Sequence, residues 1–330
     1  MAANASLHRA RTAKDDEFYT QLTDIEKELR RYKDQLRGGV VLCNCDDPEE
    51  SNFWQFFSLN FEAYGLKKLI ATHYEAGQPT YKMELSRDTN GDGRVNGLNI
   101  VRTPLSQNGD FRSPECVALL EEADFVITNP PFSLFREYVT QLVEHGKKFL
   151  IIGNQNAVTY KEVSRLLVED KIWLGYESGN MAFRVPDHYE PRETRYWQDE
   201  DGQKWRSLGN ACWFTNLDTS KRHEDMVLYR SFNPTDYPRY VNYDAIEVGR
   251  FADIPADYDG EMGVPITFLD RHNPDQFEIV GFSGQLSKPM AEVVPGQKGS
   301  GRFYLDNGDG TYRRLYDRVV IRRRLRPSRA

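Results

Sequence analysis

Residues 125–132 read FVITNPPF: an apolar run, then an amide, two prolines and an aromatic ring. A residue that precedes proline is pushed into extended geometry, so Asn129 and Pro130 are both restrained. Neither Pro130 nor Pro131 has a backbone N–H, so the segment offers carbonyl oxygens and the Asn129 amide oxygen as acceptors on a stiff frame. Such a corner suits a planar amine. The Asn129 side chain and the Pro130 carbonyl would each take one hydrogen of an exocyclic NH2, with Phe132 stacked on the attached ring. The competing reading is a plain turn, because Pro-Pro after a strand is common in loops. A four-residue motif recurs by chance and does not decide between the two.

Other chemistry-bearing groups are sparse. The stretch DTNGDGRVNGLN places Asp88, Asn90, Asp92, Gly93 and Asn96 at the spacing of a calcium loop, but Asn99 stands where a bidentate Glu is normal and no flanking helices are evident. It reads as a hairpin tip. His8, His73, His145, His188, His223 and His272 never fall into metal-ligand spacing. Cys43, Cys45, Cys116 and Cys212 lie in or beside apolar runs, too few for a disulfide framework. Cys43 and Cys45 lack the second ligand pair of a zinc site.

The elements around NPPF follow from periodicity. FYTQLTDIEKELRRYKDQL carries Phe18, Leu22, Ile25, Leu29, Tyr32 and Leu36 at helical spacing, with Thr23 and Glu26 matching a capping box, and stops at Gly38-Gly39. VVLCNC is a buried strand. After it, Asp47 is placed to cap a helix with Pro48 at its first position, carrying Phe53, Phe56, Phe57, Phe61 and Tyr64 to Gly65. LKKLIATHY is a strand, and residues 78–108 form a polar hairpin. SPECVALLEEA is a helix with Ser113 as cap and Pro114 next, FVITN a strand, SLFREYVTQLVEHG a helix closed by Gly146, FLIIG a strand, YKEVSRLLVEDK a helix and IWLGY a strand. Val-, Ile- and Leu-rich strands alternating with helices indicate a parallel sheet covered on both faces. In such a sheet ligands sit beyond the carboxyl ends of the strands, where Asn129 lies.

Residues 178–209 turn aromatic, polar and charged, and ACWFTNL returns as a strand. Beyond residue 225 helical periodicity is lost, and RYVNY, GVPITFL, FEIVGF, RFYL and RVVIRR suggest a smaller mixed or β-rich domain. At 330 residues, one large core with a smaller attached domain is expected. We therefore divide the chain at 1–225, with an insertion at 178–209, and 226–330. The formal net charge of −7 gives no global pull toward nucleic acid, so such binding must come from local patches. Two candidates are RRLYDRVVIRRRLRPSR, with eight Arg in seventeen residues, and KRH at 221–223. A solvated face or a disordered tail fits the same runs. No stretch has the roughly 18 apolar residues of a membrane span, and the first residues lack a secretory apolar run. The expected location is the cytoplasm, with no membrane partner.

NPPF at a strand end is similar to the [DNS]-P-P-[YF] motif of amino-methyltransferases. The flanking stretches DEFYTQLTDIEKEL, VVLCNCDDPEESNFW, GDFRSPEC, ITNPPFSLFREY, WFTNL and DYDGEMGVPITFLDRHNPDQFEIVG resemble the EcoRI-type adenine-specific DNA methyltransferases, from about residue 13 to the C-terminus. The resemblance implies a Rossmann-like α/β methyltransferase fold with a smaller C-terminal target-recognition domain, and site-specific transfer from S-adenosyl-L-methionine to N6 of an adenine flipped out of double-stranded DNA. Asn129, Pro130, Pro131 and Phe132 would form the catalytic corner. Tyr19, Thr20, Asp46, Asp47, Asn52, Asp110 and Phe111 would hold the cofactor. Asp47 serves equally as a helix cap, and DEFYT equally as a helix entry. Glu75 stands near the expected ribose contact, after His73 and Tyr74. DDPEESNF offers no glycine-rich phosphate cradle; its acids would repel pyrophosphate and tolerate a sulfonium cation. The resemblance further implies a monomer, in a bacterium or a phage-infected cell, with a cognate restriction endonuclease as an optional partner. Rival readings are a cofactor- and DNA-binding regulator or anti-restriction protein without transfer, and a methyltransferase for RNA or a protein amide. Residues 178–209 and the C-terminal domain are the expected DNA-reading regions.

Overall fold

The computed structural model describes residues 18–45, 47–77, 79–87, 99–187 and 189–324. Asp46, the expected hairpin tip at 88–98, His8, His188 and the last six residues lie outside them. The chain divides into two compact units, Met1–Ala157 with Leu174–Leu217, and Val158–Trp173 with Asp218–Ala330. The helix that sequence periodicity assigned to the first domain, 161–168, thus packs with the second.

The first unit is built on one sheet in the order β1-β8-β10-β7-β6-β2-β3-β4-β5, with β9 beside β10. The strands are β1 (Tyr19–Thr20), β2 (Val40–Cys43), β3 (Lys68–Thr72), β4 (Tyr81–Ser86), β5 (Ile100–Pro104), β6 (Phe125–Thr128), β7 (Lys148–Asn154), β8 (Trp173–Arg184), β9 (Tyr196–Gln198) and β10 (Lys204–Thr215). The four central strands, β7-β6-β2-β3, run parallel. Their residues are buried almost without a break, as strands covered on both faces require. Antiparallel strands extend the sheet on either side: β10 against β7, and the β4–β5 hairpin against β3. The stretch 178–209, expected as an insertion, supplies the outer halves of β8 and β10 and the short β9.

Among the described residues the longer helices of this unit are α1 (Leu22–Leu29), α2 (Asn52–Leu59), α3 (Pro114–Glu122) and α4 (Phe135–Glu144), with single turns at Lys33–Leu36 and Phe61–Tyr64. Adjacent residues of β10 show the two layers. Trp213 meets Phe53 of α2 edge-on at 6.1 Å, whereas Phe214 meets Phe135 of α4 at 4.8 Å. Gly153 of β7 lies under that second pair, where an added Cβ would stand 2.5 Å from the Phe135 ring.

Several local expectations are corrected. The helix after β2 begins at Asn52 with Ser51 as its cap, Ser51 Oγ accepting Phe53 N–H at 3.2 Å. Asp47 instead closes a tight turn, accepting Glu49 N–H at 3.0 Å, because its side chain bonds its own backbone two residues on. The first helix starts at Leu22 without a side-chain cap, so Thr23 and Glu26 form no capping box, and Phe18 belongs to the extended lead-in. Ser113 caps α3 as expected, with Pro114 at its first position, and Gly146 follows α4 at positive φ; the helix expected to run to Gly65 instead ends at Leu59, and Gly65 closes a separate short helix, Phe61–Tyr64, at positive φ.

The second unit holds α5 (Lys161–Val168) and a four-stranded sheet in the order β11-β12-β16-β13, formed by β11 (Ile246–Glu247), β12 (Met262–Pro265), β13 (Phe277–Phe282) and β16 (Arg318–Arg323), with a separate ribbon of β14 (Tyr304–Asp306) and β15 (Tyr312–Arg314). RYVNY is not a strand; it makes one isolated bridge, Arg239 with Ile246. The basic runs also differ from expectation. Arg222 of KRH is buried, bonded to both Asp170 oxygens at 2.9 and 3.0 Å and lying 3.6 Å over the Trp173 ring. Arg318 is paired with Glu247 at 2.7 Å, and Arg322 with Glu261 at 2.5 Å. These cations serve the fold. Arg313 and Arg314 are exposed and make no ion pair among the described residues.

Candidate active site

β6 lies between β2 and β7 and ends where the prolines begin. Pro131 is extended, at φ −54° and ψ 125°, and its carbonyl accepts Leu134 N–H at 2.9 Å, starting the turn Phe132–Leu134 that leads into α4. Asn129 is 5% exposed at the carboxyl end of the strand. Its Nδ2 donates to the Phe18 carbonyl, a short contact across 111 residues of sequence. Its Oδ1 is buried and has no hydrogen-bond partner. The Phe18 carbonyl can only accept, so it fixes which way the amide points. A buried acceptor left open costs free energy unless a ligand uses it.

Phe132 is half-buried, with the Phe18 ring 5.4 Å away at 44°. Phe18 also meets Phe183 at 5.7 Å and Tyr189 at 6.3 Å. An aromatic wall, drawn from the N-terminal segment, β8 and the stretch just after it, therefore stands beside the NPPF corner.

The segment Phe18–Thr20 joins the first unit as β1, pairing Tyr19 with Arg184 and Thr20 with Phe183. The Arg184 guanidinium lies 4.7 Å from the Tyr19 ring centre and is bonded to Glu50. Asn52 Nδ2 donates to the Thr20 carbonyl at 2.7 Å, tying this segment to the start of α2. Thr20 Oγ1 is buried without a hydrogen-bond partner. Tyr19, Thr20 and Asn52 are thus brought together, next to Asn129 through Phe18.

Asp47 is held on another side of the β2 turn. Tyr81 Oη donates to its Oδ1 at 2.7 Å, and His73 Nε2 stands 3.6 Å from its Oδ2. The His73 and Tyr81 rings stack at 5.3 Å, with Arg102 3.6 Å over Tyr81. Burial and the Asp47 carboxylate both push the Tyr81 phenol above its usual range, so it stays a donor. Asp110 accepts from Arg112 Nε at 2.8 Å and from its terminal nitrogen at 2.6 Å. Phe111 is buried edge-on to Tyr138 at 5.0 Å. Glu75 donates its N–H to the Asn108 carbonyl at 2.9 Å, and its carboxylate stands 3.9 Å from His73. Among the described residues no group of His, Cys, Asp and Glu could hold a metal ion.

Five contributors were not read from the sequence. Phe18 acts through its carbonyl, which no side-chain pattern reveals. Tyr138 donates to Asn44 Oδ1 at 2.5 Å, fixing the turn after β2 from the α4 side. Asn154 and Asn210 bond at 2.7 Å at the carboxyl end of β7. Glu28 of α1 is buried and accepts three bonds, from Tyr32 Oη at 2.8 Å, Tyr176 N–H at 2.8 Å and Glu177 N–H at 2.7 Å. Burial outweighs these donors and pushes its carboxyl up to about 7. Gly175 permits the approach, since a Cβ there would lie 2.3 Å from Glu28 Oε1. Glu28 thereby locks α1, and the β1 segment before it, onto β8.

Comparison with known proteins shows the family. The family model described as "Adenine-specific methyltransferase EcoRI" matches residues 6–324. The chain is 48% identical over 296 residues to the Type II methyltransferase M.EcoRI of Escherichia coli, covering 85% of this chain and 90% of that protein. It is 38% identical over 328 residues to the Type II methyltransferase M.MpnI of Mycoplasma pneumoniae, and 35% identical over 327 to M.MgeORF184P of Mycoplasma genitalium, in both cases covering 96% of this chain and 98% of the relative. With its Rossmann-like sheet and an acceptor corner at the strand ends, the chain belongs to the EcoRI family of adenine-specific methyltransferases.

Proposed function

We propose that the protein transfers the methyl group of S-adenosyl-L-methionine to N6 of a target adenine flipped out of double-stranded DNA, at one short sequence. The observation that carries this reading is Asn129 Oδ1: buried, without a protein partner, and held in orientation by Phe18. Adenine N6 is a poor nucleophile because its lone pair is spread into the ring. Asn129 Oδ1 and the Pro130 carbonyl take the two amine hydrogens and draw that pair out of conjugation. Phe132 stacks on the extruded base, backed by Phe18. Positioning and fixed dipoles do the work: N6 bonds the methyl carbon as the methyl–sulfur bond breaks, and the surplus N6 proton is then lost to water, so no general base is called on.

The residues present fit the cofactor. S-adenosylmethionine, when bound, supplies an electrophilic methyl on a sulfonium centre. Thr20 Oγ1 is a buried hydroxyl without a partner beside the amide corner, and Tyr19, Asn52, Asp47, Asp110 and Phe111 lie on the elements around the β2 and β3 ends. Asp46 completes the set in this proposal. The acidic turn tolerates a cation and disfavours a diphosphate.

The second unit is the proposed target-recognition part, with exposed Arg313 and Arg314 as phosphate-contacting cations. The protein acts as a monomer in the cytoplasm, and a cognate restriction endonuclease is the activity such methylation protects against. Among the described residues no helix is long and apolar enough to cross a membrane.

The test is incorporation of labelled methyl into duplex DNA by wild type and Asn129→Ala, with cofactor affinity measured by calorimetry. Wild type is expected to label DNA, and the variant to bind cofactor normally with transfer reduced about 100-fold or more, the scale of losing one oriented polar group. Full activity in the variant refutes the role of Asn129. Absence of transfer to any duplex by wild type refutes the reading as a whole.

A further inference from the structure

Asn129 and Asn154 share one face of the sheet. Ile127, Leu150, Ile152 and Ala211 belong to the core cluster against which Phe18 and Phe132 pack. Asn129 follows Ile127 by two residues and bonds the Phe18 carbonyl, so it points to that side. Asn154 follows Ile152 by two residues and is the direct partner of Ala211, so it does the same. In register, Thr128 lies beside Ile151. Asn154 therefore stands one strand across and two residues further out than the neighbour of Asn129, a backbone separation of about 8 Å from strand spacing and rise.

The Asn154 amide is aimed as firmly as that of Asn129, and in the opposite sense. Its Oδ1 accepts Asn156 N–H at 2.9 Å and Asn210 Nδ2 at 2.7 Å. The backbone N–H can only donate, so Oδ1 must face it and the NH2 group must turn away. That NH2 makes no hydrogen bond to the described residues, and the residue is half-buried. The corner thus presents an open acceptor on Asn129 and an open donor on Asn154. Adenine presents the complement: a donating amine flanked on both sides by an accepting ring nitrogen, N1 or N7. Guanine and thymine carry an accepting oxygen where adenine has its amine, and fail at Asn129.

We propose that Asn154 Nδ2–H donates to a ring nitrogen flanking the target amine, so that Asn154 reads and orients the flipped base. This rests on the reading of NPPF as the amine-binding corner. The test uses duplexes carrying adenine, 7-deazaadenine or 1-deazaadenine at the methylated position, and compares wild type, Asn154→Asp, Asn210→Ala and Asn129→Ala. Asn154→Asp keeps the oxygen that accepts from Asn156 and Asn210 and replaces only the donor. Wild type is expected to lose about tenfold in kcat/KM on one deaza analogue, the value of one hydrogen bond to a desolvated site. Asn154→Asp should lose at least that factor on adenine and show no further loss on the same analogue. Asn210→Ala removes one of the two donors on Oδ1 while Asn156 N–H keeps the amide oriented, so its analogue penalty should stay close to that of wild type. The proposal is overturned if Asn154→Asp matches wild type on adenine, or if the analogue penalties are the same in both. Retained transfer in Asn129→Ala instead identifies a failure of the underlying reading.

Discussion

Replacing Asn129 by aspartate exchanges one NH2 group for oxygen, and its consequence follows from what that group touches. In the wild type Nδ2 donates to the Phe18 carbonyl, while Oδ1 is buried and open. An ionised aspartate in its place would set a carboxylate oxygen against a carbonyl oxygen, at a position only 5% exposed. Both the repulsion and the loss of water favour the neutral acid. The neutral acid restores the geometry, its O–H donating to Phe18 and its other oxygen remaining an acceptor. Burial and the facing carbonyl therefore raise this carboxyl above its ordinary range. Above that raised value the competent neutral form is depleted about tenfold for each further pH unit, a cost of about 1.4 kcal/mol per unit. The sign is set by the raised folded-state value: both the activity and the stability of the variant are greater at low pH and fall as pH rises through that value. Asn does not titrate, so the wild type lacks this dependence. The assay is kcat/KM for labelled methyl transfer from pH 5.5 to 9, with thermal melts over the same range. A variant as active as wild type at pH 8, with the same profile, refutes the orienting role of Phe18, whatever the family motif tolerates at this position.

Thr20→Val replaces an unpartnered buried hydroxyl by a methyl of similar size; folding stability should hold within about 0.5 kcal/mol, while cofactor affinity by calorimetry should drop about five- to tenfold, one hydrogen bond's worth. Unchanged affinity removes Thr20 from the cofactor site. Glu28 has a folded pKa of about 7 against an ordinary 4.5, so its contribution to stability is fullest below pH 4.5 and declines as pH rises toward 7, by about 3 kcal/mol in all. The difference in denaturant stability between wild type and Glu28→Gln should change with pH across that window and be flat above it. Arg222→Ala should cost about 2 to 4 kcal/mol of stability without altering the salt dependence of DNA binding, because its guanidinium is committed to Asp170 and Trp173. Arg313→Ala should do the reverse, leaving the melting temperature unchanged and reducing the salt slope by about one; an unchanged slope removes Arg313 from the DNA surface.

The elements that were legible are those whose signal is local. The buried strands Val40–Cys43 and Phe125–Thr128, the cap at Ser113 and the stops at Gly65 and Gly146 all depend on residues within a few positions. The misread start at Pro48 has a physical cause. Asp-Pro suits a cap and a turn alike, and the Asp47 side chain bonded Glu49 N–H, leaving Ser51 to begin the helix three residues after the proline. The C-terminal arginines misled for a different reason. A run of charge shows its sign but not its partners, and Glu247 and Glu261, far off in sequence, claim two of the cations. For the same reason the contacts of α5 with the second unit were hidden, since its amphipathic face shows that it packs and not against what.

The candidate site shows this division within one side chain. Pro130 and Pro131 mark Asn129 by local stereochemistry, and the strand before them places it at the carboxyl edge of the sheet. Which atom of its amide faces the reacting group is a separate matter, decided by a main-chain oxygen 111 residues earlier. That oxygen is in turn held by a two-residue strand on β8, by Asn52 bonding the Thr20 carbonyl and by Glu28 bonding the backbone of β8. Orientation of the acceptor thus depends on the segment that carries Thr20. Loosening that segment should impair transfer and cofactor binding together, whereas removing the Asn129 side chain should impair transfer alone.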